Sequence, residues 1–209
     1  MMRHRFSRTL QLPWSAPARR RMAGCLVGWA LAGAAPCTAA AVPAAPPVAQ
    51  GGSSQALERR VKAAFLYKFL GYADFPAAAF ADSTAPVAIG VVGSDEMAAE
   101  LARVVAGRQV RGRPIVVRAL REGEQVQVHL LFVAGADSTR AARILRAAPA
   151  ALLPVTECEH GLQFGSVINF RIIEERVRFD VSLDSAERNN VKLSSRLLTV
   201  ANRVVKGTS

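Results

Sequence analysis

The chain has 209 residues, a formal net charge of +11, 51% hydrophobic residues and three cysteines. Residues 1–40 carry six arginines and no acid, which leaves 27 − 6 = 21 basic against 16 acidic residues, or +5, for the remainder. A nucleic-acid partner, which +11 would suggest if it belonged to a folded body, loses its support.

The first element is an export signal over residues 1–40. Arg3, Arg5, Arg8, Arg19, Arg20 and Arg21 form a basic region, an apolar run follows from Met22 to Ala35, and small residues close it at Thr38–Ala41. That order is the signature of a secretory signal peptide. The run has about 14 residues, too few to cross a bilayer that needs ~20. The mature chain is expected to work outside the cytoplasm. Arg19–Arg20 permits a twin-arginine reading, and Met22–Cys25 opens the apolar run where a lipoprotein box would close it. Cys25 and Cys37 leave with the signal, so Cys158 stands alone and no internal disulfide can form. It is expected to be buried and inert rather than to bridge two chains.

Residues 41–55 are rich in Pro, Gly, Ser and Ala and read as a flexible leader. Residues 56–207 read as a single domain, long enough to bury about two thirds of its unfolded surface.

A helix is predicted from Leu57 to about Ala73. Leu57, Val61, Ala64, Phe65, Phe69 and Tyr72 share one face at helical spacing, while Ala63, Leu66 and Leu70 lie towards the other. A helix apolar nearly all round is covered on both sides. Either it sits deep in the fold, or Leu66 and Leu70 offer a second face to a partner.

Pro86–Val92 is a buried strand, and Ser94 or Asp95 caps the next helix, whose core face is Met97, Leu101 and Val104/Val105 and whose close is Gly107. Arg113–Ala119 and Val128–Ala134 are further strands. Asp137 or Ser138 caps a helix ending near Ala148, and Ala151–Val155 is a weaker strand. Alternating strands and helices predict an α/β fold: a Rossmann-like mixed sheet, mainly parallel, with helices on both faces. Val167–Ile173 and Val177–Leu183 alternate strictly, so a C-terminal antiparallel hairpin is expected, with Ile172 opposite Val177, Phe170 opposite Phe179 and Ile168 opposite Val181. Asp184 and Glu187 suggest a capping box. A closing helix from about Val191 would turn Leu193, Leu197, Ala201 and Val204 inward.

Motif chemistry is sparse. Gly107–Gly112 has the glycine spacing of a phosphate loop but lacks its Lys and Ser/Thr, and it runs from helix to strand. Gly90–Gly93 is a tight turn. His129 reads as a hydrogen-bonded core or edge residue. Cys158-Glu159-His160 offers two metal ligands without a second pair to complete a site. There is no nucleophile elbow and no zinc-protease or dithiol motif. The expectation is no enzyme, no cofactor and no metal. Arg140, Arg143 and Arg146 line one side of their helix, either as a solvated face or as a docking patch for an acidic partner.

The stretch Val61-Lys-Ala-Ala-Phe-Leu-Tyr-Lys-Phe-Leu-Gly-Tyr-Ala-Asp-Phe-Pro76 resembles the opening helix of the YfiR-type (YfiR/HmsC-like) periplasmic proteins. Matching stretches follow in order: Gly107…Val110-x-Gly112-Arg-Pro114, His129-Leu-Leu-Phe-Val, Gly161…Gly165…Ile168-Asn-Phe170, Val177-Arg-Phe179-Asp-Val and Leu193-Ser-Ser-Arg-Leu-Leu198. The resemblance implies a Rossmann-like domain, exported, often dimeric and without catalytic activity. Its best-understood members bind the extracytoplasmic part of an inner-membrane diguanylate cyclase and lower cyclic di-GMP, which restrains biofilm formation. The partner expected here is therefore a membrane-bound cyclase sensor domain, contacted through Leu66, Leu70, Arg140, Arg143 and Arg146. A homodimer and a small-molecule ligand are further partners the reading allows. Some relatives carry cysteine pairs, which Cys158 cannot match. Two other functions stay open: a ligand module using the crevice lined by the turns after Val92 and Val133, and a hydrolase whose triad assembles only in the fold.

Overall fold

The computed structural model describes residues 50–124 and 127–207. The expected signal at 1–40 and the leader up to residue 49 lie outside the described residues. The described chain belongs to a unit spanning Pro47–Ser209.

Helix α1 (Gln50–Tyr72) begins inside the segment read as a flexible leader. Residues 52–57 are exposed and bury nothing, so they add helix but no core. From α1 the chain enters a short strand β1 (Ala73–Asp74) and a 3-10 turn at Ala77–Ala79. Then come β2 (Val87–Val92), α2 (Asp95–Val105), β3 (Gln109–Val110), β4 (Arg113–Leu120), β5 (Leu130–Val133), α3 (Ser138–Ala147) and β6 (Leu153–Thr156). A second 3-10 turn at Gly161–Phe164 leads into β7 (Ile168–Ile173) and β8 (Arg176–Ser182). The chain closes with α4 (Leu183–Arg188), β9 (Lys192–Leu193), α5 (Ser195–Val200) and β10 (Arg203–Val205).

Eight strands form one mixed sheet in the order β10-β8-β7-β6-β5-β2-β4-β3, and β1 pairs with β9 in a separate two-stranded ribbon. The five pairings β4-β2-β5-β6-β7 and β8-β10 are parallel, while β7-β8 and β3-β4 are antiparallel. The α/β, Rossmann-like fold is therefore as expected. Its parallel strands run in the order second-first-third-fourth-fifth, the flavodoxin-like arrangement, with the switch in direction between β2 and β5.

Strand alternation sorts the core onto two faces. Ile89, Val91, Leu130 and Phe132 join the side covered by α1 and α2. Ala88, Val92, Leu131 and Val133 join the side covered by α3. Helix α1 is bound to the first face through an aromatic cluster, in which the Phe69 ring lies 5.0 Å from Phe179 and 5.8 Å from Phe170. Each such pair adds about 1 kcal/mol beyond the area it buries.

The local readings fared unevenly. The hairpin register is the expected one: Ile172 faces Val177, Phe170 faces Phe179 and Ile168 faces Val181. Its loop has two residues, Glu174 and Glu175, both at positive φ (50° and 58°), because only such a turn matches the twist of the strands it joins. Ser94 caps α2 by accepting the Met97 N–H at 3.1 Å, and Asp137 caps α3 by accepting that of Arg140 at 3.0 Å. The capping box at Asp184 and Glu187 is not formed. Ser182 caps α4, and Asp184 lies inside the helix, accepting from Gly207 N–H at 2.6 Å. The single closing helix is also replaced. Leu193 pairs with Ala73 in the β ribbon, α5 is only six residues long, and Val204 sits in β10, which extends the sheet beside β8. Backbone pairing on an open sheet edge outweighed the helical spacing of four apolar residues.

Helix α1 sits deep in the fold, covered on both sides, with Phe69 of one face and Leu66 and Leu70 of the other all buried. Leu66 and Leu70 are 0% and 1% exposed, while Leu57 on the expected core face is 62% exposed. Leu66 and Leu70 are core residues and offer no accessible contact to a partner. Both faces of the helix are apolar, so spacing could not decide whether the second one meets the fold or a partner.

Candidate functional site

In a sheet of this order, ligands bind outside the carboxyl ends of the strands, at the switch point. Here that point lies between the turns after β2 and β5. Gly93 (φ 91°) and Gly135 (φ 103°) make those turns in a conformation that disfavours other residues. Arg140, in the first turn of α3, fills the space between them. Its Nη1 donates to Ala134 O at 3.2 Å, and a side chain at Gly93 would collide with its guanidinium.

Glu122, in the loop after β4, holds Arg140 in place. It accepts from Arg140 Nε at 3.3 Å and from Arg143 Nε at 2.6 Å. Hydrogen bonding from Arg143 holds the Glu122 carboxyl below its ordinary range, and Arg140 adds to the effect. The helix ends that would meet an anion are already supplied with acids, Asp95 and Glu96 on α2 and Asp137 on α3. The crevice is thus closed by the protein's own arginine, and neither helix end is left open to cradle a phosphate. The turns after Val92 and Val133 therefore offer no open backbone cradle for a phosphate.

A second polar group ties α1 to the same edge. Lys62 is buried and donates to Glu157 Oε2 at 2.5 Å and to Glu58 one turn before it. Glu157 Oε1 in turn accepts the Gly135 N–H at 2.6 Å. Burial alone would lower the Lys62 pKa, but the two carboxylates outweigh it and leave the ammonium raised. One chain of contacts therefore runs from α1 through Glu157 to the turn after β5.

The sequence-predicted site residues are dispersed. Arg140 and Arg143 meet on Glu122, with Arg140 mostly covered and Arg143 largely exposed. Arg146 stands exposed at the helix end, its Nε donating back to Ala142 O at 3.3 Å. Leu66 and Leu70 lie in the core. Glu122, Lys62 and Glu157 went unnoticed in the sequence. Only Glu58–Lys62, four residues apart, left a signal there.

His129 is buried as expected, and its surroundings fix its tautomer. Nδ1 accepts the Ala88 N–H at 3.0 Å, so Nε2 carries the proton and donates to Ala79 O at 3.1 Å. Phe80 stacks on the ring at 4.3 Å, and Arg113 lies over Phe80 at 4.0 Å. These contacts pin the loop between β1 and β2 to the sheet. Cys158 is buried, and burial pushes its thiol above its ordinary pKa, which makes it a poor nucleophile. Gly107–Gly112 forms the bend before β3 and the β3–β4 hairpin turn, with Arg111 and Gly112 both at positive φ. Among the described residues, no three His, Cys, Asp or Glu side chains group as a metal site, and no helix is long and apolar enough to cross a membrane.

The surface also carries scattered apolar and basic residues. Leu57, Ile172 and Val200 are each more than half exposed, and Arg171, Arg176 and Arg178 are exposed on the β7–β8 hairpin. The fold and its edge define a doubly wound α/β domain whose switch-point crevice is filled by Arg140. The family model described as YfiR/HmsC-like matches residues 59–202, and the chain belongs to that family. No curated protein matches it.

Proposed function

We propose that this protein is a periplasmic negative regulator that binds the extracytoplasmic part of an inner-membrane diguanylate cyclase and lowers cyclic di-GMP signalling. In this reading the segment 1–40 is removed on export, and a short leader precedes a single domain at 56–207 that acts by contact rather than by catalysis. The observation that carries it is the family match, which runs from within α1 to the residue before β10. The self-filled crevice supports it by disfavouring a nucleotide-binding enzyme.

With Leu66 and Leu70 in the core, the docking residues proposed are the exposed cations Arg143 and Arg146 on α3. A regulator of this kind works by preferring one of the sensor's two conformations. Moving that equilibrium from mostly on to mostly off takes ~5 kcal/mol of differential affinity.

The test joins binding to signalling. Deleting the gene should raise cellular cyclic di-GMP, and the tagged protein should retain a cyclase sensor domain from solubilised membranes. Unchanged cyclic di-GMP together with no retained cyclase would reject the reading. N-terminal sequencing of periplasmic material checks the export step, and a start at Met1 would count against it.

A further inference from the structure

The β4–β5 connection is unusual for a doubly wound sheet. Residues 121–129 cross from one side of β2 to the other, and the described ones form no helix. One face of the sheet therefore has α1 and α2, while α3 covers the other without a companion. A cavity of about 280 Å³ occupies the uncovered space, walled by Val92, Leu120, Val128, Leu131 and Leu152 from the sheet side and by Ile144 and Ala147 of α3 opposite. Gly90 lets Leu120 settle low against the sheet, since a side chain there would strike Leu120 Cδ1. The wall is apolar along the sheet face that α3 leaves open, as in most small-molecule cavities.

Polar groups gather only at the rim. Arg121, Glu122, Glu124 and Arg143 line it. The Arg143 side chain is 64% exposed and already grips a carboxylate, that of Glu122. Glu122 has a second arginine, Arg140, and sits next to Gly123 at φ 84°. It can give up Arg143 without losing its charge partner. A guanidinium fork matches an incoming carboxylate in the same way.

Size narrows the class. A dry apolar cavity of ~150 Å³ accepts benzene, so this one suits a molecule of roughly twelve non-hydrogen atoms by the same scale. We propose that the cavity binds a small apolar monocarboxylate, its chain or ring against Leu120, Leu131 and Ile144 and its carboxylate on Arg143 in place of Glu122. The site shares Arg143 with the docking surface proposed above, but ligand titration of the purified protein tests it without a partner present.

Decanoate is the probe, titrated below its micellar concentration into the purified protein by calorimetry, with decanol and acetate as controls. Decanoate should bind and raise the melting temperature, acetate should not bind, and decanol should bind at least tenfold more weakly. R143Q should weaken decanoate about tenfold, the worth of one charge-assisted hydrogen bond, and leave decanol unchanged. Ala147 lines the cavity from an exposed position near the end of α3, so A147W should fold normally and abolish binding of both. No decanoate binding at millimolar concentration, equal binding to A147W, or equal affinity for decanol and decanoate would each overturn the proposal.

Discussion

Lys62 and Glu157 stand 95 residues apart in sequence and meet at 2.5 Å, joining α1 to the end of β6. Glu157 passes the contact on to the backbone of Gly135 at the switch point. Packing would hold α1 on the sheet without this pair, but the pair fixes its position along the sheet edge.

Replacing Lys62 with Met should cost about 2 kcal/mol in urea unfolding, less than the 3–5 of a fully buried pair because Glu58 and Glu157 keep some solvent. The double change K62M/E157Q should recover part of that loss. The ion pair's contribution is present below the ordinary lysine pKa and disappears as pH rises through the raised folded value. Wild type should therefore lose stability in strong alkali more steeply than K62M.

Acid should destabilise the protein through His129. Burial pushes its pKa down, Arg113 lowers it further, and the bond to Ala79 O opposes both. The folded ring is neutral, whereas the unfolded ring takes a proton near pH ~6.5. Stability should fall as pH drops below that value, by up to ~1.4 kcal/mol per pH unit, until the folded ring titrates too. H129Q keeps a donor and an acceptor but cannot titrate. Urea midpoints at pH 7.5 and 5.5 should differ less for H129Q than for wild type.

Leu70→Ala should cost about 2–5 kcal/mol, as for other fully buried leucines. Changing Leu66 and Leu70 together to Glu should prevent folding. A rise in cyclic di-GMP in that variant would then reflect loss of the protein, which immunoblotting would reveal as a depleted band. Normal protein levels and a normal circular dichroism spectrum would contradict the burial seen here.

The β7–β8 turn leaves stability unused. Glu174 and Glu175 both adopt positive φ, which Asn-Gly adopts more readily. Replacing the pair with Asn-Gly should add about 1 kcal/mol, or ~2–4 °C in melting temperature for a domain of this size. A lower melting temperature would count against the turn geometry.

Gly161→Ala should be damaging out of proportion to one methyl group. The added carbon would run into Thr156 Oγ1 and Asn169 Oδ1, which are buried and bonded to each other at 2.7 Å. Calorimetric melting should show a loss of at least ~1 kcal/mol.

Local spacing determined much of this molecule. The alternation in Ile168–Ile173 and Arg176–Ser182 fixed the hairpin register, since slipping by one residue would expose Phe170 and Phe179. Ser94 and Asp137 announced their helices because a cap needs only its own next turn. The ordered family motifs pointed to the family before any contact was known. The tertiary structure alone decided that both sides of α1 are buried and that its first turns are not, since Leu57 and Leu66 are equally apolar and only their packing distinguishes them. It also decided that Val204 extends a strand, that Arg140 fills the crevice on Glu122, and that Glu157 joins Lys62 to the Gly135 N–H. Those outcomes depend on groups far apart in the chain, whose meeting is set by sheet order and loop length rather than by neighbouring residues.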